Sequence, residues 1–81
     1  MSTDYLVMQH TEADSFSVIL NGDARQVRAG ETVADLVRSL ELDPERLAVE
    51  LNRRIIKRAQ WASTPLVAEA QIEIVQFVGG G

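Results

Sequence analysis

The feature that most constrains the fold is a single amphipathic helix pattern in a chain whose other regular segments alternate like strands. Apolar residues at i, i+3, i+4 and i+7 form one stripe on a helix face: Val33, Leu36, Val37 and Leu40. Thr32 is a suitable N-cap, and Asp35 follows three residues later, near the positive end of the helix dipole. We expect the helix to end at Leu42-Asp43-Pro44. One helix with one apolar face must cover one face of a sheet, which predicts an α+β fold.

The strand-like segments flank this helix. Before it, apolar alternation over Phe16–Leu20 leads into Asn21-Gly22. This pair is the strongest short hairpin signal, because a type I′ turn needs positive φ at both central residues. The return strand, about Ala24–Arg28, directs Val27 toward the core. After the helix the pattern predicts three further strands: Leu47–Leu51, a short one around Ile55-Ile56, and about Ile72–Val78.

A hairpin, a helix and three strands in this order predict a β-grasp (ubiquitin-like) roll. We expect a mixed sheet of four to five strands with one main helix, and the last strand near the sheet centre beside the first. Trp61, in an irregular stretch, is expected to cap one end of the core. Residues 1–15 lack periodicity and are predicted to be a flexible extension. Residues 16–78 form the β-grasp domain, and residues 79–81 form a flexible tail.

Composition excludes several classes of function. The formal net charge of −4 argues against nucleic-acid binding, which needs a basic surface, and the cations at 53–54 and 57–58 indicate a solvated face. No apolar run approaches a membrane span and no signal peptide is visible, so we expect a cytoplasmic protein with no membrane partner. The chain has no cysteine, and its one histidine, His10, has no partner at metal-ligand spacing. We therefore expect no metal, no bound cofactor and no catalytic residues.

The sequence ends in Gly79, Gly80 and Gly81, directly after the last predicted strand. Residues without a Cβ adopt almost any backbone angle and do not obstruct a narrow channel. Fully extended, they reach about 10 Å beyond the fold. A thin arm that ends in a carboxylate suits a group that another protein's active site must reach. Glycine content alone leaves open a frayed terminus.

The phase of the last strand predicts an exposed apolar patch. If Ile72, Ile74 and Val78 face the core, then Val75 and Phe77 share the opposite face. Uncovered apolar side chains of this kind often mark partner surfaces. We therefore predict a docking surface at these two residues, just before the glycines. The alternatives are a bulge that turns Phe77 inward, or coverage by the N-terminal extension.

With these elements placed, the sequence resembles the ThiS family of sulfur carrier proteins. The matching segments cover the chain from Phe16 to its end and are Leu20–Asp23, Ala29–Leu36, Val49–Asn52, Arg58–Trp61 and Ile72–Gly81. Each is weak alone, and their order and spacing make the combination specific. The chain departs from the family at Ala68–Gln71, where an Asp-Gly-Asp-like turn is common, and at Lys57, where a proline is common.

The resemblance implies a mechanism. A terminal carboxylate is an anion at neutral pH and a poor electrophile. The family's chemistry converts it to an acyl-adenylate, which a sulfur nucleophile displaces, leaving a thiocarboxylate on Gly81. That sulfur is delivered for thiazole formation in thiamine biosynthesis. The implied partners are a ThiF-like adenylyltransferase that consumes ATP, a sulfur donor system, and thiazole synthase. The chain itself is a carrier and co-substrate, not an enzyme.

Three other readings stay open at this point. A carrier like the small subunit of molybdopterin synthase shares the fold and tail, but such chains tend to have Phe and Pro before the tail, and Val75–Val78 contains no proline. A ubiquitin-like modifier joined to lysines through Gly81 shares the activation step and differs only in the acceptor. A plain β-grasp interaction module with an inert tail is the third.

Overall fold

In the computed structural model, residues 14–78 are described. The glycine tail, and all of the predicted N-terminal extension except its last two residues, lie outside the described residues. The elements are β1 (Ser15–Leu20), β2 (Asp23–Arg28), α1 (Val33–Ser39), β3 (Leu47–Leu51), β4 (Arg54–Ile56) and β5 (Gln71–Gln76). Two 3₁₀ turns, Pro44–Arg46 and Arg58–Ser63, connect them. These bounds confirm every predicted element, with shifts at several ends.

The strands form one mixed sheet in the order β2-β1-β5-β3-β4. The last strand, β5, lies at the centre, parallel to β1 on one side and antiparallel to β3 on the other. The two hairpins therefore form the two halves of the sheet, and β5 joins them. The predicted β-grasp arrangement, with the last strand beside the first, is confirmed.

The helix begins as predicted, with a complete capping box. The Thr32 hydroxyl accepts from the Asp35 N–H at 3.2 Å, and the Asp35 carboxylate accepts from the Thr32 N–H at 2.9 Å. These bonds satisfy backbone donors that a helix start leaves without partners. The helix ends at Ser39, earlier than predicted, because Glu41 adopts a left-handed φ of 59°. Pro44 then begins a separate 3₁₀ turn.

The core lies between α1 and one face of the sheet. Its buried side chains are almost all Val, Leu and Ile from the predicted inward positions, with Trp61 at one end. They are Val18, Val27, Val33, Leu36, Val37, Leu47, Val49, Trp61, Leu66, Ala70, Ile72 and Ile74. The Trp61 indole N–H donates to the Ile56 carbonyl at 2.9 Å, which satisfies its polar group inside the core.

The prediction for the end of the last strand was wrong. The strand ends at Gln76, and Val78, expected in the core, is 82% exposed. The reason is that the neighbouring strand β3 starts opposite Gln76, at Leu47, so pairing stops there except for one bond from the Phe77 N–H to the Arg46 carbonyl at 2.7 Å. Among the described residues, the core does not extend past this point, which leaves Val78 exposed.

Candidate functional site

The exposed end of β5 is the part of the fold that leads into the glycines. Val75 is 54% exposed, Phe77 55% and Val78 82%. The bond from the Phe77 N–H to the Arg46 carbonyl continues the alternation of the strand by one residue, so Phe77 lies on the same side of the sheet as Val75. Phe77 is not turned inward, so the first predicted alternative is wrong, and the second, coverage by the N-terminal extension, falls on residues that lie almost entirely outside the described part of the chain. Exposed apolar side chains therefore lie directly before the glycines in the chain.

The outer face of the sheet, opposite the helix, bears a shallow depression beside this end. It is lined by Ala48, Glu50, Arg53, Ile55, Gln71, Glu73 and Val75. Ala48 lies opposite Val75, and Glu50 lies opposite Glu73. Like charges at directly opposed positions destabilise a sheet, and neither carboxylate forms an ion pair with another described residue. The outer face is thus partly apolar and locally acidic.

Two asparagines at the hairpin turns hold β5 in register. Asn21 Oδ1 accepts from the Ile74 N–H at 2.8 Å, and its Nδ2 donates to the Ile74 carbonyl at 3.3 Å. Asn52 Oδ1 accepts from the Gln71 N–H at 2.9 Å, while the Asn52 N–H donates to the Gln71 carbonyl at 2.7 Å. Each asparagine therefore forms part of its own turn and also hydrogen-bonds the central strand. The sequence signalled the turns, and nothing in it pointed to the long-range bonds.

Both turns require left-handed backbone. Asn21 and Gly22 have φ of 49° and 89°, which confirms the predicted type I′ turn, and Asn52 and Arg53 have φ of 50° and 71°. Asparagine tolerates this region better than most residues, so it is well suited to each first position. Arg53 occupies a position that favours glycine, and it lines the outer depression.

The helix side of the domain carries a second shallow depression, lined by Ala34, Val37, Arg38, Glu41, Leu42, Pro44 and Trp61. It lies on the opposite side of the sheet from Val75 and Phe77. Nearby, Arg38 lies 3.0 Å from the Asp35 carboxylate. The hydrogen bond from the Thr32 backbone N–H, and then that from Arg38, hold the pKa of Asp35 below its usual value. This charge pair belongs to the helix cap, on the far side of the sheet from the exposed end of β5.

Two features are absent from the described residues. Between residues 14 and 78, no helix is long and apolar enough to cross a membrane. Over the same residues, no three His, Asp or Glu side chains lie close enough together to hold a metal ion.

The chain matches the sequence model of the ThiS family over residues 18–81. It is 38% identical to the sulfur carrier protein ThiS of Bacillus subtilis strain 168 over 63 residues, which are 76% of this chain and 96% of that protein. The chain belongs to the ThiS family. Its fold agrees: a crystal structure of the thiamine biosynthesis protein ThiS from Geobacter metallireducens matches with a TM-score of 0.68 and 28% identity, over 82% of this chain and 100% of that one.

ThiS-like sequence also occurs inside a longer protein. The chain is 39% identical over 62 residues to a thiazole synthase of Magnetococcus marinus, which is 76% of this chain but only 19% of that protein. The chain thus spans about a fifth of the length of that relative. The match connects a ThiS-like segment with a protein named for thiazole synthesis.

Membership of the ThiS family confirms the predicted resemblance and the β-grasp fold, with five strands and one main helix. It identifies the chain as a member of a family of small sulfur carriers. The predicted site residues fall into two groups. Gly79, Gly80 and Gly81 lie outside the described residues. Val75 and Phe77 are both exposed, and their role in docking stays a prediction.

Proposed function

We propose that this chain carries sulfur as a thiocarboxylate on Gly81 and supplies it for thiazole formation in thiamine biosynthesis. The observation that carries the proposal is the match to the ThiS family over residues 18–81, which includes all three terminal glycines. The fold supports it, because the central strand β5 ends in exposed residues directly before those glycines.

The proposed reaction begins at the C-terminal carboxylate of Gly81. Its oxygen attacks the α-phosphorus of ATP, the bond to pyrophosphate breaks, and an acyl-adenylate forms. A sulfide-level nucleophile from the sulfur donor system then attacks the acyl carbon, and AMP leaves with the electrons of the carbon–oxygen bond. The product is a thiocarboxylate whose sulfur is a better nucleophile than the original oxygen. This chain contributes the carboxylate and its presentation, and the partner supplies ATP and the catalytic groups.

We propose a ThiF-like adenylyltransferase as the activating partner and thiazole synthase as the sulfur acceptor. The match to a segment of a thiazole synthase supports the second partner. In this scheme the chain is a co-substrate that binds no cofactor of its own. We propose the cytoplasm as the compartment of the reaction.

Docking is proposed to use the outer face of the sheet around Val75 and Phe77. A glycine arm brings little binding energy and must become ordered on entering a site, so the affinity has to come from the folded surface. Exposed apolar side chains beside the arm supply such a surface. Since Glu50 and Glu73 lie on the same face and form no ion pair with a described residue, we expect the matching partner surface to be apolar and basic.

The test is the intact mass of the protein after incubation with the adenylyltransferase, ATP and a sulfur donor. We expect a gain equal to the difference between one sulfur and one oxygen atom, located at Gly81 by fragmentation. A variant that lacks Gly80 and Gly81 is the matched control, because the deletion removes no core residue. It should fold normally and gain no mass.

Two results would contradict the proposal. One is a truncated variant activated at the normal rate, since activation would then not need Gly81. The other is a wild-type chain that appears joined to lysine side chains of other proteins and never as a thiocarboxylate, which would favour the ubiquitin-like modifier.

A further inference from the structure

The two edges of the central strand β5 are paired to different lengths. On the β3 side, pairing runs from Gln71 to Phe77, whose N–H donates to the Arg46 carbonyl. On the β1 side, strand pairing covers only Gln71 and Ile72. Among residues 14–78, one edge of β5 therefore has no neighbouring strand over its last residues.

The alternation of the ladder shows which backbone groups face that open edge. Antiparallel strands alternate between hydrogen-bonded and non-hydrogen-bonded pairs. The bond from Phe77 to Arg46 makes Gln76 and Leu47 a non-hydrogen-bonded pair. The N–H and carbonyl of Gln76 therefore point away from β3, to the side on which the Asn21 N–H bonds the Ile72 carbonyl.

The turn after β1 ends the coverage of this edge. The chain reverses at Asn21-Gly22, and the Asn21 side-chain amide takes both backbone groups of Ile74. Gln76 is the next residue in the same phase, and it is exposed. Over residues 14–78 nothing bonds its N–H or its carbonyl. The open edge thus begins at Gln76, two residues beyond Ile74, which is the residue that the Asn21 side chain bonds.

We propose that an extended main-chain segment of the activating partner pairs with this open edge over residues 76–78. The inference rests on the proposed function and names the contact that holds the arm. Exposed strand N–H and carbonyl groups are complemented by another strand, the mode known as β-augmentation. A second copy of this chain is a poorer occupant, because two copies with a net charge of −4 each would repel one another.

Pairing at this edge would also orient the tail. Gln76 lies three residues before Gly79, so a strand formed there continues in the direction of the glycines. The apolar face at Val75 and Phe77 would supply affinity, and the backbone pairing would fix the direction and register in which Gly81 enters the partner. These are separate contacts, made by side chains in one case and by the main chain in the other.

The first experiment follows amide hydrogen exchange in the wild-type chain, free and bound to the adenylyltransferase. In the free chain the Gln76 amide should exchange rapidly, whereas the Val75 amide, in a hydrogen-bonded pair with Ala48, should be protected. On binding, exchange at Gln76 should slow by more than about tenfold. A Gln76 amide that exchanges equally fast in the saturated complex would overturn the proposal.

The second experiment compares Gln76→Pro with Gln76→Ala. Proline removes the N–H, which bonds no described residue in the free fold, while alanine keeps it and removes only the side chain. We expect Gln76→Pro to weaken binding about tenfold, because a main-chain bond is lost and its acceptor is left unpaired. Gln76→Ala should bind as the wild type does. Equal binding by the folded proline variant would overturn the inference.

The outcomes separate this inference from the proposed function. If the wild type gains sulfur and the folded proline variant gains it at the same rate and affinity, the edge contact is refuted and the carrier function stands. If the wild type is neither bound nor activated, the carrier function is refuted, and the edge contact that rests on it is refuted as well. Should the proline variant unfold, the exchange measurement on the wild type decides.

Discussion

The side-chain amide of Asn21 hydrogen-bonds both backbone groups of Ile74, with Oδ1 2.8 Å from the N–H nitrogen and Nδ2 3.3 Å from the carbonyl oxygen. The residues are 53 positions apart in the chain. Through this contact the first hairpin turn continues the sheet where β1 itself has ended. It ties the position of β5, and of the residues that lead into the glycines, to a turn at the start of the domain.

Replacement of Asn21 by glycine should therefore destabilise the domain. Glycine accepts the φ of 49° without strain, so the substitution removes mainly the two side-chain bonds. We expect a loss of about 1–3 kcal/mol in the free energy of unfolding, measured by urea denaturation. Asn52→Gly is the matched control, since Asn52 has a similar φ and its side chain makes one bond. An Asn21→Gly loss no larger than that of Asn52→Gly would contradict the expectation.

Truncation of Leu36 tests the packing of helix against sheet. Leu36 is 2% exposed, in the middle of the apolar stripe of α1. Leu36→Ala should cost about 2–5 kcal/mol through lost burial and the cavity that remains. In a domain this small that is a large share of the total stability. Arg38→Ala, on the exposed side of the same helix, should change stability by only about 0.5 kcal/mol.

The Asp35 carboxylate makes one part of the stability depend on pH. Its pKa in the folded state lies below the usual 3.8, chiefly because it accepts from the Thr32 backbone N–H and from Arg38. A depressed pKa means that the unfolded chain binds the proton more readily. The contribution is therefore complete above pH 3.8 and is lost as the pH falls below that value. The Tm difference between wild type and Asp35→Asn should narrow over the same range, and a constant difference would refute this.

The docking surface can be tested with one matched pair of variants. Phe77→Asp places a charge in the proposed contact and should weaken binding to the adenylyltransferase at least about tenfold. Its fold should persist, because the side chain is 55% exposed and the backbone N–H still reaches Arg46. Val67→Asp is the control: Val67 is 53% exposed and lies in the connection before β5.

Calorimetry gives the affinities, and circular dichroism checks that both variants fold. Normal binding and activation of a folded Phe77→Asp variant would move the docking surface elsewhere, and the cationic hairpin from Arg53 to Arg58 would be the next surface to test.

Much of the fold could be predicted because its signals are local. The type I′ turn depends on two adjacent residues, Asn21 and Gly22, and the helix start on the N-cap Thr32 with Asp35 three residues later. Strand β3 and helix α1 follow from apolar periods of two and about 3.6 residues. The exposure of Val75 could be predicted in the same way, since alternation along β5 places it opposite Ile72 and Ile74.

What the sequence by itself determined is thus the order of the elements, their inward faces and the turns between the strands. Only the tertiary structure decided where the pairing and packing between those elements end. Val78 continues the apolar pattern of β5, yet it is exposed because β3 begins only at Leu47, opposite Gln76. The bonds of Asn21 to Ile74, and the edge at Gln76 that is open among the described residues, likewise depend on where β1 ends. Periodicity and capping act over a few residues, whereas coverage of an edge is set by elements distant in the chain.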